Sequence, residues 1–238
     1  MPQLVDHLLV GFLLVVVPVH GHLSYRRLAA RVAAGETGAR LAEYRWTIAL
    51  EWAVVLVLLI LWRLMGRSAE SLGLTVPMTG WSLLGLGITV TMLGLLGYQW
   101  WAIKRLEGPA LDPLRAQLAG ATALLPANEP EVRLFRWVAV TAGICEEIVY
   151  RGYLIWYFSG FFGPWLGAVV GAVLFGLGHF YQGASGVVKT GAVGLFAGLL
   201  FVGTGSLVWP IILHMAIDLQ GGAVAWRVLG PGAGANRG

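Results

Sequence analysis

Seven stretches of the chain are each long and apolar enough to cross a bilayer, and this repetition constrains the fold before any motif is read. A spanning helix needs about 20 mostly apolar residues. Such runs fall at about 4–22, 46–65, 79–102, 134–158, 164–181, 188–204 and 207–226. The expected fold is all-α: a polytopic transmembrane helix bundle of 7–8 spans, the eighth arising if a polar piece re-enters the bilayer. Composition agrees. Only 12% of the residues are charged and 58% are hydrophobic, at a mean hydropathy of +0.75. A soluble domain carries about twice that charge. A water-soluble enzyme is excluded, as is a disordered, collagenous or disulfide-rich secreted chain. The single Cys145 excludes an intramolecular disulfide and a thiolate metal cluster. No Lys or Arg precedes Arg26, so the first run lacks the basic flank of a secretory signal and reads as a retained helix.

The segments between spans set orientation. Residues 24–46 alternate Ala, Leu and Val with Arg at helical spacing, broken by Gly35 and Gly38. They predict two short interfacial amphipathic helices. The 103–133 stretch is a loop with an amphipathic helix around 111–124, and 229–238 is a flexible tail. Residues 1–133 thus form an N-terminal part of about three spans with cytoplasmic amphipathic loops. Residues 134–228 form a core. Arg26, Arg27, Arg31, Arg40 and Arg45 follow the first span, and Lys104, Arg105, Arg115, Arg133 and Arg136 follow the third. Arg63 and Arg67 alone follow the second. The positive-inside rule places the N-terminus outside and the C-terminus in the cytoplasm of a multi-pass cell-membrane protein, a bacterial inner membrane in this reading. The net charge of +4 therefore reads as topology in a lipid bilayer, with no nucleic-acid partner. Gly163, Gly167 and Gly171, and then Gly194 and Gly198, repeat every four residues. They read as internal helix packing rather than a dimerisation face, which leaves the oligomeric state open.

Charge at mid-bilayer costs roughly 2.5–3.5 kcal/mol on insertion scales, yet the core holds Glu146, Glu147, Arg151 and Asp218 with His179 and His214. Glu147 and Arg151 are four residues apart on one helix face and can pair. Glu146 is rotated about 100° from Glu147 and has Tyr150, not a cation, four residues on. An unpaired carboxylate beside a satisfied ion pair suits a general base; a purely structural polar network is the alternative. His179 closes FGLGHF, one turn after Phe175. His214 and Asp218 form a second pair four apart, in which the Asp can orient the imidazole. Groups on three separate spans escape lipid by facing a common interior.

EExxxR at 146–151, FxxxH at 175–179 and HxxxD at 214–218, in this order on successive spans, resemble the CPBP family, the CAAX protease and bacteriocin-processing group also called Abi. The resemblance covers about 134–226. It implies a bundle of about eight helices with a cytoplasm-facing cavity and an intramembrane glutamic endopeptidase acting on a membrane-associated or prenylated, CAAX-type, protein. The substrate, a protein or peptide, would enter from the membrane or the cytoplasmic side. It implies that Glu146 and His179 activate a water, that His214 and Asp218 hold the oxyanion, and that Glu147 and Arg151 brace the site. The family often has Asn where this chain has Asp218. An ionised Asp cannot donate a hydrogen bond, so Asp218 acts protonated or by orienting His214.

The glutamate-and-water scheme needs no cofactor. Zinc held by Glu146, His179 and His214 is the alternative, although no HExxH places two ligands on one helical face. Cys145 reads as a small buried hydrophobe rather than a nucleophile. Glu51 is expected to make an interior hydrogen bond or reach the cavity. His20 and His22 are expected at a membrane edge, and Trp100–Trp101 and Trp156–Tyr157 in interfacial belts. A non-catalytic binder on the same fold, an immunity or scaffold protein, is the competing function. A proton-coupled transporter would call for an internal repeat, and none is evident.

Overall fold

The computed structural model describes residues 2–118 and 122–230. Among these the chain is helical, with no strand. Seven long or apolar helices and one short one follow in order: α1 (Leu4–Ala33), α2 (Ala39–Leu64), α3 (Gly80–Ile103), α4 (Asp112–Leu118), α5 (129–162), α6 (Pro164–Gly178), α7 (Gly183–Thr204) and α8 (Val208–Leu229). Five have the length and apolar composition to cross a membrane: α1, α2, α3, α7 and α8. The other two long elements carry the polar motifs. Glu146, Glu147 and Arg151 interrupt α5. α6 is apolar but only 15 residues long, about 22 Å at 1.5 Å per residue. The result is an all-α polytopic bundle.

The first helix is longer than its apolar run suggests. Pro18 has no N–H to give the preceding turn, and the wide π turn at Phe12–Val16 absorbs the mismatch, so α1 continues through His20 and His22 to Ala33. Residues 24–33 and 39–46 are therefore the end turns of α1 and α2, not two separate interfacial helices. The chain reverses between them on Gly35 and Gly38, at φ 73° and 78°, a left-handed backbone that glycine adopts without strain. The Ser24 hydroxyl donates to Glu43 (2.6 Å) across the reversal. Of the amphipathic helix expected at 111–124, Asp112–Leu118 is helical as α4 and 122–124 form a turn, while 119–121 and most of the 229–238 tail lie outside the described residues.

The apolar core sits where α1, α2 and α5 meet, around Val10, Leu13, Val55, Leu58, Trp62, Ile148, Val149 and Leu154. Large apolar side chains such as Leu56, Ile60, Leu83, Val90, Val169 and Val173 point outward on the other faces, as a bundle solvated by lipid requires. One end of the core is locked by a polar clamp. Buried Asp6 receives both Arg67 nitrogens at 2.8 and 2.6 Å and the Tyr153 hydroxyl at 3.1 Å. The Arg67 guanidinium lies over Trp62 and Trp156 at 4.9 and 4.2 Å, which stabilises a partly desolvated cation. Trp156 and Tyr157 thus belong to this packed clamp rather than to an interfacial belt.

At the opposite end the 122–128 loop is tied to α2. Arg40 donates to the Ala123 carbonyl (2.9 Å) and Tyr44 to that of Leu124 (2.5 Å). Apart from Gly163, the glycine repeats face inward. A Cβ on Gly198 would touch Ala168, and one on Gly171 would touch Ile155, so these serve packing among α5, α6 and α7, whereas Gly163, at φ 78° with open space at its Cβ position, turns the chain between α5 and α6.

Candidate active site in the bundle interior

The site begins with an irregular turn of α5. Regular helix ends at Glu146 and a π turn spans Glu147–Leu154. Such wide turns recur at functional sites. Glu146 and Glu147 fall on either side of the transition and face different surroundings, as their rotation predicts. Glu147 is fully buried. Its Oε1 accepts from Arg151 Nη1 at 2.8 Å and from His214 Nδ1 at 2.7 Å. Glu146 is partly open to an interior cavity, and its Oε2 lies 3.8 Å from His214 Nε2.

His214 reaches Glu147 because α5 and α8 pack closely at Gly143. A Cβ there would lie 2.8 Å from the backbone nitrogen of Met215. Since the neighbour is backbone, Gly143→Ala forces the helices apart. We expect a loss of about 1–3 kcal/mol, the usual range for overpacking, read as a lower thermal midpoint in detergent together with reduced activity. Gly94→Ala on α3, where a Cβ meets open space, should leave the midpoint in place.

His179 ends α6, and its Nδ1 lies 2.8 Å from the Phe175 carbonyl oxygen. A carbonyl only accepts, so Nδ1 donates to it, and Nε2 is the ring nitrogen left facing away from the helix backbone. Phe175 is the hub. Its ring centroid is 4.7 Å from that of His179, 5.9 Å from that of His214 and 4.9 Å from that of Tyr150, and the Arg151 guanidinium sits 4.2 Å from its centroid. The aromatic in FxxxH thus sets the spacing of both histidines.

Glu146, His179, His214 and Asp218 line one cavity of about 610 Å³, within the range of small-molecule and peptide pockets. The structure therefore brings together four of the six residues singled out from the sequence on the cavity wall. The other two, Glu147 and Arg151, lie directly behind. Asp218 stands 3.5 Å from His214 Nε2. Glu147 holds the other ring nitrogen, Nδ1, so a carboxylate stands at each side of the imidazole. No local spacing could have given that bond, because 67 residues separate the partners. Tyr150, Tyr181 and Glu51 also line the cavity. So does His20, on the cavity-facing wall of α1. His22 stacks on Phe180 with 4.5 Å between ring centroids. Cys145 is buried beside the apolar core.

A zinc site needs at least three side chains converging on one point at about 2 Å. Among the described residues no group of three or more His, Cys, Asp or Glu is arranged to hold a metal ion. The set Glu146, His179 and His214 does not fit one, and no step is routed through it.

The described residues thus form an apolar helical bundle with paired carboxylates and histidines around an interior cavity. Residues 128–220 match the family described as type II CAAX prenyl endopeptidase Rce1-like. The matched stretch contains all three motifs, is less than half of the chain, and supports the resemblance to the CAAX-type proteases that those motifs carry. No curated protein and no solved structure matches the chain.

Proposed function

We propose that this protein is an intramembrane endopeptidase that hydrolyses a peptide bond in a membrane-associated or prenylated, CAAX-type, protein. The observation that carries the reading is the convergence of Glu146, His179, His214 and Asp218 from three helices on a single cavity, within the stretch that matches the protease family. In this scheme Glu146 and the His179 Nε2 lone pair take a proton from water, and the hydroxide attacks the peptide carbonyl. His214, anchored at Nδ1 by Glu147 and carrying a proton on both ring nitrogens, donates from Nε2 to the oxyanion. The proton taken from water then passes to the leaving amine. Preorganised donors aimed at developing charge commonly supply the largest catalytic term. Glu147 and Arg151 keep that donor in place. Asp218 holds the far side of the His214 ring.

The cavity wall reaches Ser24, Tyr25, Glu43 and Leu125, the end of the bundle that carries the Arg-rich reversals. By the positive-inside rule this end faces the cytoplasm of a cell membrane, and substrate enters from there or from the bilayer.

The test is direct. The purified chain in liposomes should hydrolyse an internally quenched farnesylated CAAX peptide, and hydrolysis should survive exhaustive chelation. Activity lost to chelators and restored by zinc would replace water activation by the two side chains. No hydrolysis of prenylated or unmodified peptides would leave the non-catalytic membrane binder. Comparative proteomics of membranes with the parent chain or Glu146→Ala should reveal one accumulating precursor.

A further inference from the structure

We infer that the cavity selects a cationic substrate segment, and that Glu51 is the specificity residue that receives its Lys or Arg side chain. The inference rests on the proposed peptidase reading and extends it to substrate class. Glu51 lies on α2, which packs against α5, and lines the same cavity as Glu146, His214 and Asp218. Its Oε2 is shut off from solvent and has no hydrogen-bond partner. Glu147 Oε2 is likewise without a hydrogen bond, but an ionised carboxylate with no cation in the interior is costly, and the other buried carboxylates each have one. Asp6 is held by Arg67, Glu131 by Arg40 and the Ala127 amide, and Glu147 by Arg151 and His214.

The surrounding charge points the same way. Among the described residues that line the cavity, Glu43, Glu51, Glu146 and Asp218 are acidic, and the cationic groups are Lys189 and, in the proposed scheme, the doubly protonated His214, so carboxylates outnumber cations. Arg151 is already engaged by Glu147 behind the wall. The chain as a whole carries net charge +4, so an acidic interior is not inherited from composition. Leu13, Val17, Leu50 and Val54 line the wall near Glu51 in sequence and at the facing surface of α1, giving apolar surface to the stem of a long cationic side chain. A neutral segment would leave the Glu51 carboxylate unpaired, whereas an ammonium or guanidinium pairs it in a medium where the attraction is weakly screened.

The experiment uses the full-length chain carrying His179→Ala, so that binding is read without cleavage. Two dansylated apolar octapeptides, identical except for one lysine or norleucine, are titrated in nanodiscs. The lysine peptide should bind at least ten-fold more tightly. Glu51→Gln should reduce that ratio below two-fold, Glu51→Asp should keep most of it, and Glu51→Lys should favour a glutamate peptide. Equal affinities for the two parent peptides, failure of both to bind, or a ratio unchanged by Glu51→Gln would each overturn the inference. If Glu51→Gln does not fold, the Glu51→Asp and Glu51→Lys ratios decide. The two readings separate cleanly. A lysine preference in binding, with no hydrolysis of the octapeptides or of the farnesylated CAAX peptide by the parent chain, sinks the peptidase and leaves the cationic selection standing.

Discussion

Glu146→Gln should lower kcat/KM by about 10³-fold, in the middle of the range for loss of a positioned general base, while leaving the protein inserted and folded. The substitution keeps the shape of the side chain and removes only its ability to accept a proton. Glu146 tolerates it structurally, because it is the carboxyl open to the cavity, and its ion-pair contact is a long 3.8 Å approach to His214. His179→Ala should give a loss of similar size, and the double variant should lose little more than either alone, since groups that act on one water are strongly non-additive. The readout is hydrolysis of the quenched farnesylated peptide in liposomes, with thermal midpoints measured alongside. If purified Glu146→Gln keeps a tenth or more of the parent rate with an unchanged midpoint, the water-activation scheme is wrong. A structural role predicts the reverse pattern, a lowered midpoint with activity falling in proportion.

Much of this site was legible in the chain because charge is scarce in it. Glu146, Glu147, Arg151 and Asp218 stand out against apolar spans, and helical periodicity separates Glu146 from Glu147 correctly. The partner of His214 could not be read that way. The i+4 rule offers Asp218, but Glu147 comes from a helix 67 residues away and is brought in by the close approach at Gly143. Glu51 shows the same limit. Its place on α2 was plain, yet whether a lone carboxyl faces lipid, a partner or a cavity depends on helix rotation within the bundle. For the fold, hydropathy located the spans but misplaced their ends. Residues 24–46 look interfacial by composition. In the structure Pro18 is absorbed by a π turn, so α1 runs on to the Gly35–Gly38 reversal. The Asp6–Arg67 clamp joins residues that sequence spacing has no means to pair.

Glu147→Ala should be the most destabilising substitution in the site, at about 3–5 kcal/mol, the cost of stripping one partner from a buried ion pair. That is a large part of the margin of a typical fold. The side chains of Glu147 and Arg151 are 1% and 3% exposed, so water cannot replace the lost carboxylate. The deletion leaves Arg151 with its face on Phe175 and no counter-ion, and it frees the His214 Nδ1. Two effects therefore combine, and a second variant separates them. Replacing both partners with leucine, Glu147→Leu with Arg151→Leu, removes the buried charges together, which in other buried pairs is neutral or stabilising. The double variant should regain most of the thermal midpoint in detergent yet stay inactive, because no carboxylate holds His214. Recovery of both stability and hydrolysis would show that the Glu147–His214 bond is dispensable. A double variant as unstable as Glu147→Ala would mean that the Leu pair does not fit the π turn, and Glu147→Gln then decides. Its amide oxygen still accepts from one donor, so it should lose less stability than Glu147→Ala. Activity should remain low, because the amide cannot supply the charge that holds a doubly protonated His214 in place.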